Sequence, residues 1–441
     1  MTVERINVGL VGFGTIGSGV VKLLDESREI IRARVGAEIV LKKIADKDLT
    51  RKREVEVDSA LLTGDASEIF DDPDISIVIE LVGGVDGARA LVLKAIEAGK
   101  NVVTANKAMI STCGAEIFEK AARKGVDIGF EASVGGGIPV IKALKEGLAG
   151  NRIESMYGII NGTANYILST MTHEGRPFDE ILKEAQASGY AEADPTYDIE
   201  GVDTAHKLAI LVNCAYGTSV ALDDVYTEGI STITPLDIQF ALEFGYRIKL
   251  LAIAKEREGR VEMRVHPTMI PAEHPLATVE GVYNAVHIVG SAVGSVILYG
   301  KGAGMMPTAS AVVGDVIDIC RNMRQGVSTR VAPLSYLPEN LGPIENKEIH
   351  ELDVPYYLRF SAIDRPGVLS KIAGVLGEKG ISISSVIQKG RQAEGAVPLV
   401  IITHHARESA LMAALGAVDG MDIIADKTQL IRIEENLGEE I

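Results

Sequence analysis

The chain of 441 residues is 46% hydrophobic and carries a formal net charge of −17 at neutral pH. Its length allows roughly two to four domains of about 100 to 200 residues each. So negative a charge excludes a general nucleic-acid binder, which needs a basic face, although a few local positive groups suffice to hold a small phosphorylated ligand.

Residues 1–136 alternate short apolar runs with helical patterns. An apolar run over 6–11 leads into the segment GFGTIG and then into helical spacing of apolar residues over 20–24. Further strands are predicted at 39–45, 75–82, 101–104 and 126–131, with a helix at 88–98. Alternating strands and helices predict a doubly wound parallel sheet, which is a Rossmann-like α/β domain.

After residue 136 the pattern becomes that of an α+β domain, which we place at 137–307. Helices are predicted at 140–148, 165–172, 178–188, 204–216 and 235–254, and strands at 154–160 and 260–269. Residues 308–325 form a long apolar helix that is expected to return to the first domain. Residues 326–352 contain several prolines and charges and are interpreted as a linker.

The end of the chain, residues 353–435, has the pattern of a separate module. Strands are predicted at 356–362, 381–388, 397–403 and within 421–433, with helices from the DRPG turn to about residue 378 and at 406–418. The order βαββαβ is that of a ferredoxin-like fold.

The segment GFGTIG has the spacing GxGxxG of a dinucleotide-binding turn. The first glycine permits the tight turn, the second lets a pyrophosphate approach the backbone, and the third lets the helix pack on the strand. Because the segment follows a strand and precedes a helix, we predict a dinucleotide site rather than an ordinary glycine-rich turn. The predicted cofactor-binding residues are Gly12, Phe13, Gly14, Thr15, Ile16 and Gly17.

The end of the second predicted strand carries signals for two cofactors. Asp46 is placed to bind the free ribose hydroxyls of NAD, whereas the basic residues Arg51, Lys52 and Arg53 suit the 2′-phosphate of NADP. These basic residues could equally lie in a solvated loop. We therefore favour NADP(H) slightly and keep NAD(H) as the alternative.

Lysines and carboxylates form a second set of candidates. Lys107 follows the strand at 101–104, whose carboxyl end should face the ligand crevice, although a surface lysine is the ordinary alternative. The acidic segment 185–207 ends at Lys207, and Asp203 would lie one helical turn before it on the same face. A lysine held among acids is suited to proton transfer. With a nucleotide-binding N-terminus, this indicates redox chemistry on a small charged substrate.

The segment FEASVGGGIP at 130–139 leaves the Rossmann-like part. Its glycines free backbone carbonyls, which together with Glu131 could hold a hard cation. A hinge between domains explains the glycines equally well. The histidines show no spacing typical of zinc, and His206 is expected to face away from Lys207 on its helix.

The cellular setting follows from the cysteines and from hydropathy. Cys113, Cys214 and Cys320 are far apart and odd in number, which indicates a reducing compartment. No uncharged stretch reaches the roughly 18 residues of a spanning helix, and charges precede the first apolar run. We expect a cytoplasmic protein with no membrane or nucleic-acid partner.

The segments GFGTIG, ELVGG, TANKA, FEASVGGGIP, NGTANYIL and 185–207 together resemble the homoserine dehydrogenase family. The last segment is the most specific, and the residues at its fixed positions are Ala185, Gly189, Asp194, Pro195, Asp198, Gly201, Asp203 and Lys207. The resemblance covers about residues 5–325. The tail resembles an ACT domain, a unit that senses small molecules.

This resemblance implies reversible reduction of L-aspartate 4-semialdehyde to L-homoserine by NAD(P)H, a step toward threonine, methionine and isoleucine. It implies that Lys207 is the proton donor, with Lys107 its partner and Asp203 a further catalytic residue. The implied substrate-binding residues are Glu192, Asp203, Asp198, Tyr190 and Thr163. Lys107, Gly189 and Gly304 would join the cofactor site. Na⁺ or another monovalent cation would be held, mostly through main-chain oxygens, by Glu131, Val134, Gly136 and Ile138.

The resemblance also implies regulation and assembly. Residues 137–307 would form the catalytic and dimerisation domain of a homodimer or homotetramer. The ACT domain at 353–435 would bind an amino-acid effector, expected to be threonine, unless the DRPG segment is a simple strand-to-helix turn. Its predicted effector residues are Asp364, Gly367, Val368 and Leu369. Deletion of 350–441 is then expected to leave an active, unregulated core.

Two other functions are less consistent with the residues. A sensor that binds nucleotide and amino acid without chemistry would not need the intact set of Lys107, Asp203 and Lys207. An aspartate-semialdehyde dehydrogenase needs a cysteine thiolate as nucleophile, and the three cysteines lack an activating context.

Overall fold

The computed structural model describes residues 4–389 and 395–438. Its helices are α1 (Thr15–Glu26), α2 (Arg28–Val35), α3 (Ser67–Phe70), α4 (Asp86–Glu97), α5 (Lys107–Lys124), α6 (Val140–Lys142), α7 (Gly162–Glu174), α8 (Phe178–Ala187), α9 (Thr196–Ile199), α10 (Val202–Tyr216), α11 (Pro235–Glu243), α12 (Met305–Arg324), α13 (Val368–Glu378) and α14 (Glu408–Asp419). Its strands are β1 (Arg5–Val11), β2 (Glu38–Ala45), β3 (Leu62–Thr63), β4 (Ile75–Glu80), β5 (Asn101–Thr104), β6 (Ile128–Gly129), β7 (Ile153–Ile159), β8 (Tyr226–Thr227), β9 (Tyr246–Arg257), β10 (Arg260–Pro271), β11 (Tyr283–Gly290), β12 (Gly294–Lys301), β13 (Glu345–Asn346), β14 (Asp353–Val354), β15 (Tyr356–Ile363), β16 (Ile383–Gln388), β17 (Ala396–Thr403), β18 (Ala406–Arg407) and β19 (Ile424–Ile433).

The chain divides into two compact units. The first comprises the residues up to Glu154 together with His206–Asp224 and Val282–Ile344. The second comprises Ser155–Ala205, Val225–Gly281 and the residues from Glu345 onward. Among the described residues, no helix is both long enough and apolar enough to cross a membrane.

The first unit is built on a parallel sheet in the order β3-β2-β1-β4-β5-β6. This order confirms the Rossmann-like prediction. The central strands are apolar on both faces, as expected when helices cover both sides of a parallel sheet. Helix α12 packs against α1 in the same core, and Gly19 allows the close approach because a Cβ there would lie 3.1 Å from that of Ala309.

Two features of the first unit differ from the prediction. The strand expected at 126–131 shortens to β6, and Gly129 at its end packs so closely on Asp315 that a Cβ would lie 2.6 Å from that of the aspartate. The prediction contains no counterpart to β11 and β12, which pair antiparallel along their whole lengths. Strand β12 is an edge strand with an alternating, largely exposed burial pattern.

The second unit contains a sheet in the order β7-β9-β10-β19-β15-β17-β16. The helix predicted over 235–254 is wrong beyond residue 243. Helix α11 ends there, Gly245 adopts a left-handed conformation at φ 81°, and β9 follows, paired with β10 over twelve residues. The run from Ile248 to Ala254 is buried throughout and is apolar except for Lys249, and a run buried on both faces has no period that separates a central strand from a buried helix.

The tail has the predicted ferredoxin-like order β15-α13-β16-β17-α14-β19, which confirms that part of the fold. Its sheet is not separate, however. Strand β19 pairs with β15 on one side and with β10 on the other, where Thr268 lies opposite Arg432. The tail therefore continues the sheet that β9 and β10 begin.

Candidate active site

The glycine-rich turn after β1 has the shape of a dinucleotide site. Gly12 adopts φ 99°, and a Cβ there would lie 2.6 Å from the carbonyl oxygen of Leu81. A Cβ at Gly17 would lie 2.3 Å from the carbonyl oxygen of Gly12, whereas Gly14 faces open space. Helix α1 begins at Thr15 with no side-chain cap, so its first N–H groups suit a phosphate. A cavity of about 360 Å³ opens beside this turn at the ends of β1, β2 and β4.

Asp46 and Arg53 fix the turn at the end of β2. One carboxylate oxygen of Asp46 accepts the Phe13 N–H at 2.6 Å, and the other accepts the Asp48 N–H at 2.8 Å. Arg53 donates to the Phe13 carbonyl oxygen at 2.7 Å, and its guanidinium lies 4.6 Å from the centroid of the Phe13 ring and 3.6 Å from Asp46. The Arg53 side chain is therefore buried against the turn. Arg51 is exposed, as is expected for a residue in a solvated loop.

The ends of β4 and β5 are joined by buried polar contacts. Glu80 accepts the Thr104 hydroxyl at 2.7 Å and the Val82 N–H at 2.6 Å, and burial raises the pKa of its carboxyl group. Asn106 caps α5 by accepting the Met109 N–H at 3.0 Å. These contacts set the start of α5, whose first residue is Lys107.

Both candidate lysines belong to the first unit and are half-buried. Lys107 opens α5, and Lys207 lies in the part of α10 that belongs to this unit. The two helices are joined one turn after Lys107, where Ser111 Oγ and His206 Nδ1 lie 2.5 Å apart in a buried hydrogen bond. Sequence reasoning missed this pair, because nothing in the spacing relates residues so far apart.

The second unit gathers four of the predicted substrate residues around Asn161. Its amide nitrogen donates to Asp198 at 2.7 Å and to Asp203 at 2.9 Å. The Thr163 hydroxyl donates to the Tyr190 carbonyl oxygen at 2.7 Å and lies 3.3 Å from Asp198. Asn161 also caps α7 by accepting the Ala164 N–H at 2.8 Å, so the helix start and the two carboxylates share one side chain. The prediction did not include Asn161, although it lies at the start of the segment NGTANYIL.

The remaining predicted residues of this region lie near the surface. Glu192 is exposed in the loop after α8, where its carbonyl oxygen accepts a hydrogen bond from Gln186 at 3.1 Å. Gly189 follows the end of α8 at φ 76°, with open space where a side chain would be. In the first unit, Gly304 is the N-cap of α12 at φ 115°.

In the loop predicted to bind a cation, residues 130–139, the carboxylate of Glu131 forms hydrogen bonds with the main chain of the following helix. The two oxygens of Glu131 accept the N–H groups of Ile141 and Lys142 at 2.8 and 2.7 Å, at the start of α6. Burial and the nearby Asp315 raise the pKa of Glu131 to about 7. The main-chain oxygens of Glu131 and Ile138 accept the N–H groups of Val134 and Val140 at 3.4 and 2.8 Å. Across 4–389 and 395–438, no group of three or more His, Cys, Asp or Glu side chains is arranged to hold a metal ion.

Two of the three cysteines are buried and do not provide a thiolate nucleophile. Burial raises the pKa of Cys214 and that of Cys320 to about 12. Such thiols stay protonated at neutral pH, which argues against thiolate chemistry at these two positions.

The tail contains a cavity of about 570 Å³ at the turn between β15 and α13. Its lining includes the four predicted effector residues, Asp364, Gly367, Val368 and Leu369. Helix α13 starts after Gly367, which has φ 90° and no side-chain cap, so the first N–H groups of the helix suit a carboxylate.

The parallel sheet and the glycine turn after β1 are features of the nucleotide-binding domain of an NAD(P)-dependent oxidoreductase. Comparison with known proteins agrees. The NAD-binding domain of homoserine dehydrogenase matches residues 12–131, the homoserine dehydrogenase family matches 139–317, and the ACT domain matches 356–420.

Full-length relatives extend this match. The chain is 46% identical to a homoserine dehydrogenase of Pseudomonas aeruginosa, over 98% of this chain and 99% of the relative. The crystal structure of a homoserine dehydrogenase from Thiobacillus denitrificans has a TM-score of 0.93 at 46% identity, over 98% and 99% of the two chains. A hyperthermophilic archaeal homoserine dehydrogenase mutant in complex with NADPH has a TM-score of 0.61 at 27% identity, over 72% and 98%. The chain belongs to the homoserine dehydrogenase family and is an oxidoreductase acting on a CH–OH donor.

Proposed function

We propose that the protein interconverts L-aspartate 4-semialdehyde and L-homoserine with Lys207 as proton donor, Lys107 as its partner and Asp203 as a further catalytic residue, in the biosynthesis of threonine, methionine and isoleucine. The observation that carries this proposal is helix α10, which bears both Asp203 and Lys207 one turn apart. Asp203 belongs to the carboxylate cluster around Asn161, and that cluster suits the ammonium group of an amino-acid substrate.

The chemistry follows from charge. When bound, the nicotinamide supplies or accepts the hydride. Negative charge grows on the aldehyde oxygen during reduction, and the Lys207 ammonium stabilises that charge and then donates its proton. In the oxidative direction the neutral amine of Lys207 accepts the hydroxyl proton of homoserine. Asp198 and Asp203, bridged by the Asn161 amide, bind and orient the substrate together with Glu192, Tyr190 and Thr163.

Lys207→Ala tests the assignment. We expect turnover of homoserine to fall by about 10² to 10⁴, the contribution of a general acid–base group. NADPH binding, followed by its fluorescence, should survive. Lys183→Ala, which removes an exposed lysine on α8, is the matched control and should leave turnover unchanged. Wild-type turnover in Lys207→Ala would refute the role.

The cofactor is proposed to be NADP(H), with NAD(H) as the alternative. It would be held by residues 12–17, Lys107, Gly189 and Gly304. Both oxygens of Asp46 already accept main-chain N–H groups, and Arg53 lies beside them. A carboxylate so engaged repels a 2′-phosphate less than one left open to the ribose. Steady-state kinetics with NAD and NADP in parallel test the preference, and a higher kcat/KM with NAD would contradict it.

A monovalent cation, Na⁺, is proposed to bind the main-chain oxygens of Glu131, Val134, Gly136 and Ile138. The loop is tightly folded, because a Cβ at Gly136 would lie 2.5 Å from the carbonyl oxygen of Gly302. Since a ligand of the folded state raises the Tm, NaCl should raise the Tm more than choline chloride at equal ionic strength. Equal Tm values would contradict the cation site.

The tail is proposed to bind an amino-acid effector, threonine, in the cavity at the turn between β15 and α13. Asp364 would pair with the effector ammonium and the start of α13 with its carboxylate. We expect Asp364→Ala to raise the threonine concentration for half-inhibition about tenfold or more, as the loss of one charged hydrogen bond would. Inhibition with an unchanged midpoint would exclude this cavity.

The protein is proposed to form a homodimer through its middle region, with pairing of tails to a tetramer as the alternative. Edge strand β12 exposes Ile297 and Tyr299, with Val293 just before it. Exposed apolar residues on an edge strand are typical of an interface. The domain boundaries proposed with this assembly are a nucleotide-binding domain at 1–136, a catalytic and dimerisation domain at 137–307, a returning helix at 308–325, a linker at 326–352 and the ACT domain at 353–435.

A further inference from the structure

Helices α5 and α10 each carry one candidate lysine, and a buried hydrogen bond joins the two helices near both lysines. Lys107 and Ser111 are four residues apart on α5 and share a face. His206 directly precedes Lys207 on α10. The 2.5 Å contact of Ser111 Oγ with His206 Nδ1 therefore lies one turn from the first lysine and one residue from the second.

The contact of Ser111 with His206 is closed to solvent. Ser111 Oγ also lies 3.1 Å from the Ala108 carbonyl oxygen. The tautomer of His206 decides whether Ser111 Oγ or Nδ1 of His206 is the donor of their hydrogen bond. Both side chains are buried, at 7% and 6% exposure, so water cannot replace either partner.

From this geometry we infer that Ser111 and His206 are positioning residues for the lysine pair. The inference rests on the proposed roles of Lys107 and Lys207. The contact fixes the register of α5 against α10, and with it the place of the Lys107 ammonium relative to that of Lys207. Neither residue touches the reacting atoms in this scheme. Their effect passes through the lysines.

The first test is Ser111→Ala, measured as homoserine oxidation. We expect kcat to fall about 10- to 100-fold, because a displacement of about 1 Å at reacting groups has that effect. The KM for homoserine and the NADPH Kd should change by less than about threefold, since ground-state binding is not the function of the pair. The matched control is Thr112→Val, which removes the neighbouring hydroxyl that also donates to Ala108 but is exposed. It should keep the wild-type kcat.

The second test varies the histidine. His206→Asn places its amide where Nδ1 lies, and His206→Gln places its amide where Nε2 lies. We expect the asparagine variant to keep most of kcat and the glutamine variant to lose it as Ser111→Ala does. A structural role alone would move the Tm of both variants without separating their kcat values. If the asparagine variant is as slow as the glutamine variant, the inference fails.

The third test separates the inference from the proposed function. In a Lys107→Ala background, adding Ser111→Ala should cause no further loss, because the serine acts through that lysine. A further loss comparable to that in the wild type would overturn the inference. Wild-type turnover in Lys107→Ala and Lys207→Ala would instead overturn the proposed function. Inactive lysine variants beside a fully active Ser111→Ala would overturn the inference alone.

Discussion

Asn161 is the residue whose replacement most directly tests the carboxylate cluster. Its oxygen caps α7, and its nitrogen donates to Asp198 and Asp203 at 2.7 and 2.9 Å. Asn161→Asp keeps the shape and the cap, since aspartate and asparagine cap helices equally well. It replaces the amide donor that joins the two carboxylates by a third negative oxygen.

The magnitude follows from the spacing. Two like charges 4 Å apart repel by about 4 kcal/mol at an effective dielectric constant of 20. The cluster relieves this repulsion by taking up a proton, which raises the pKa of the introduced carboxyl group from about 4 to about 7. The folded variant then holds a proton that the unfolded chain has released. Its stability relative to the wild type therefore falls as the pH rises from about 4 to about 7.

Thermal unfolding between pH 5 and pH 8 measures this dependence. The Tm deficit of Asn161→Asp should widen across that range and level off above about pH 7. Asn161→Ser is the matched control, because it keeps a good cap and adds no charge. Its deficit should change less with pH. Equal pH slopes for the two variants would show that Asn161 does not hold the two carboxylates together.

Three further predictions concern other parts of the molecule. The pKa of Glu131 is raised to about 7, so the wild type should lose about 3 kcal/mol of stability relative to Glu131→Gln as the pH rises from 4.5 to 8, and a Tm difference independent of pH would contradict this. Tyr299→Glu places a charge on exposed β12 and should shift the protein to monomer in light scattering. An unchanged mass would exclude β12 from the interface. Deletion of 350–441 should give a destabilised protein, because it removes Glu434 from the buried Arg264. A truncated chain with wild-type Tm and turnover would contradict this prediction and would show that residues 1–349 fold and act without the tail.

The elements that the sequence predicts well are those whose burial has a local period. The strand–turn–helix at 6–24 and the order βαββαβ of the tail follow from such patterns and from glycine positions. The second half of the predicted helix at 235–254 fails because β9 is central in its sheet and buried on both faces over 248–254. Periodicity then carries no information, and only the pairing with β10 decides the structure.

The residues of the candidate site also fall into two groups, those that could be predicted from the sequence and those that could not. Parallel topology places the ends of β1, β4 and β5 at one edge of the sheet, so Gly12 and Lys107 could be found from strand positions alone. Asn161 could not, because its role depends on carboxylates 37 and 42 residues away. Ser111 and His206 are separated by 95 residues. The sequence pattern of a helix does not show whether a polar side chain such as Ser111 is buried, because its burial depends on a hydrogen-bond partner that is distant in the sequence.

The tail illustrates how elements that are encoded locally can join a sheet that the sequence pattern does not indicate. Each of its elements is encoded locally, and its own core is continuous. Its last strand nevertheless completes a neighbouring sheet, where Glu434 pairs with Arg264 and, at 2.6 Å, with Lys255. Breaking a buried ion pair by removing one partner costs about 3 to 5 kcal/mol, a large share of the stability of a typical domain. The end of β19 therefore couples the stability of the tail to that of the sheet formed by β9 and β10.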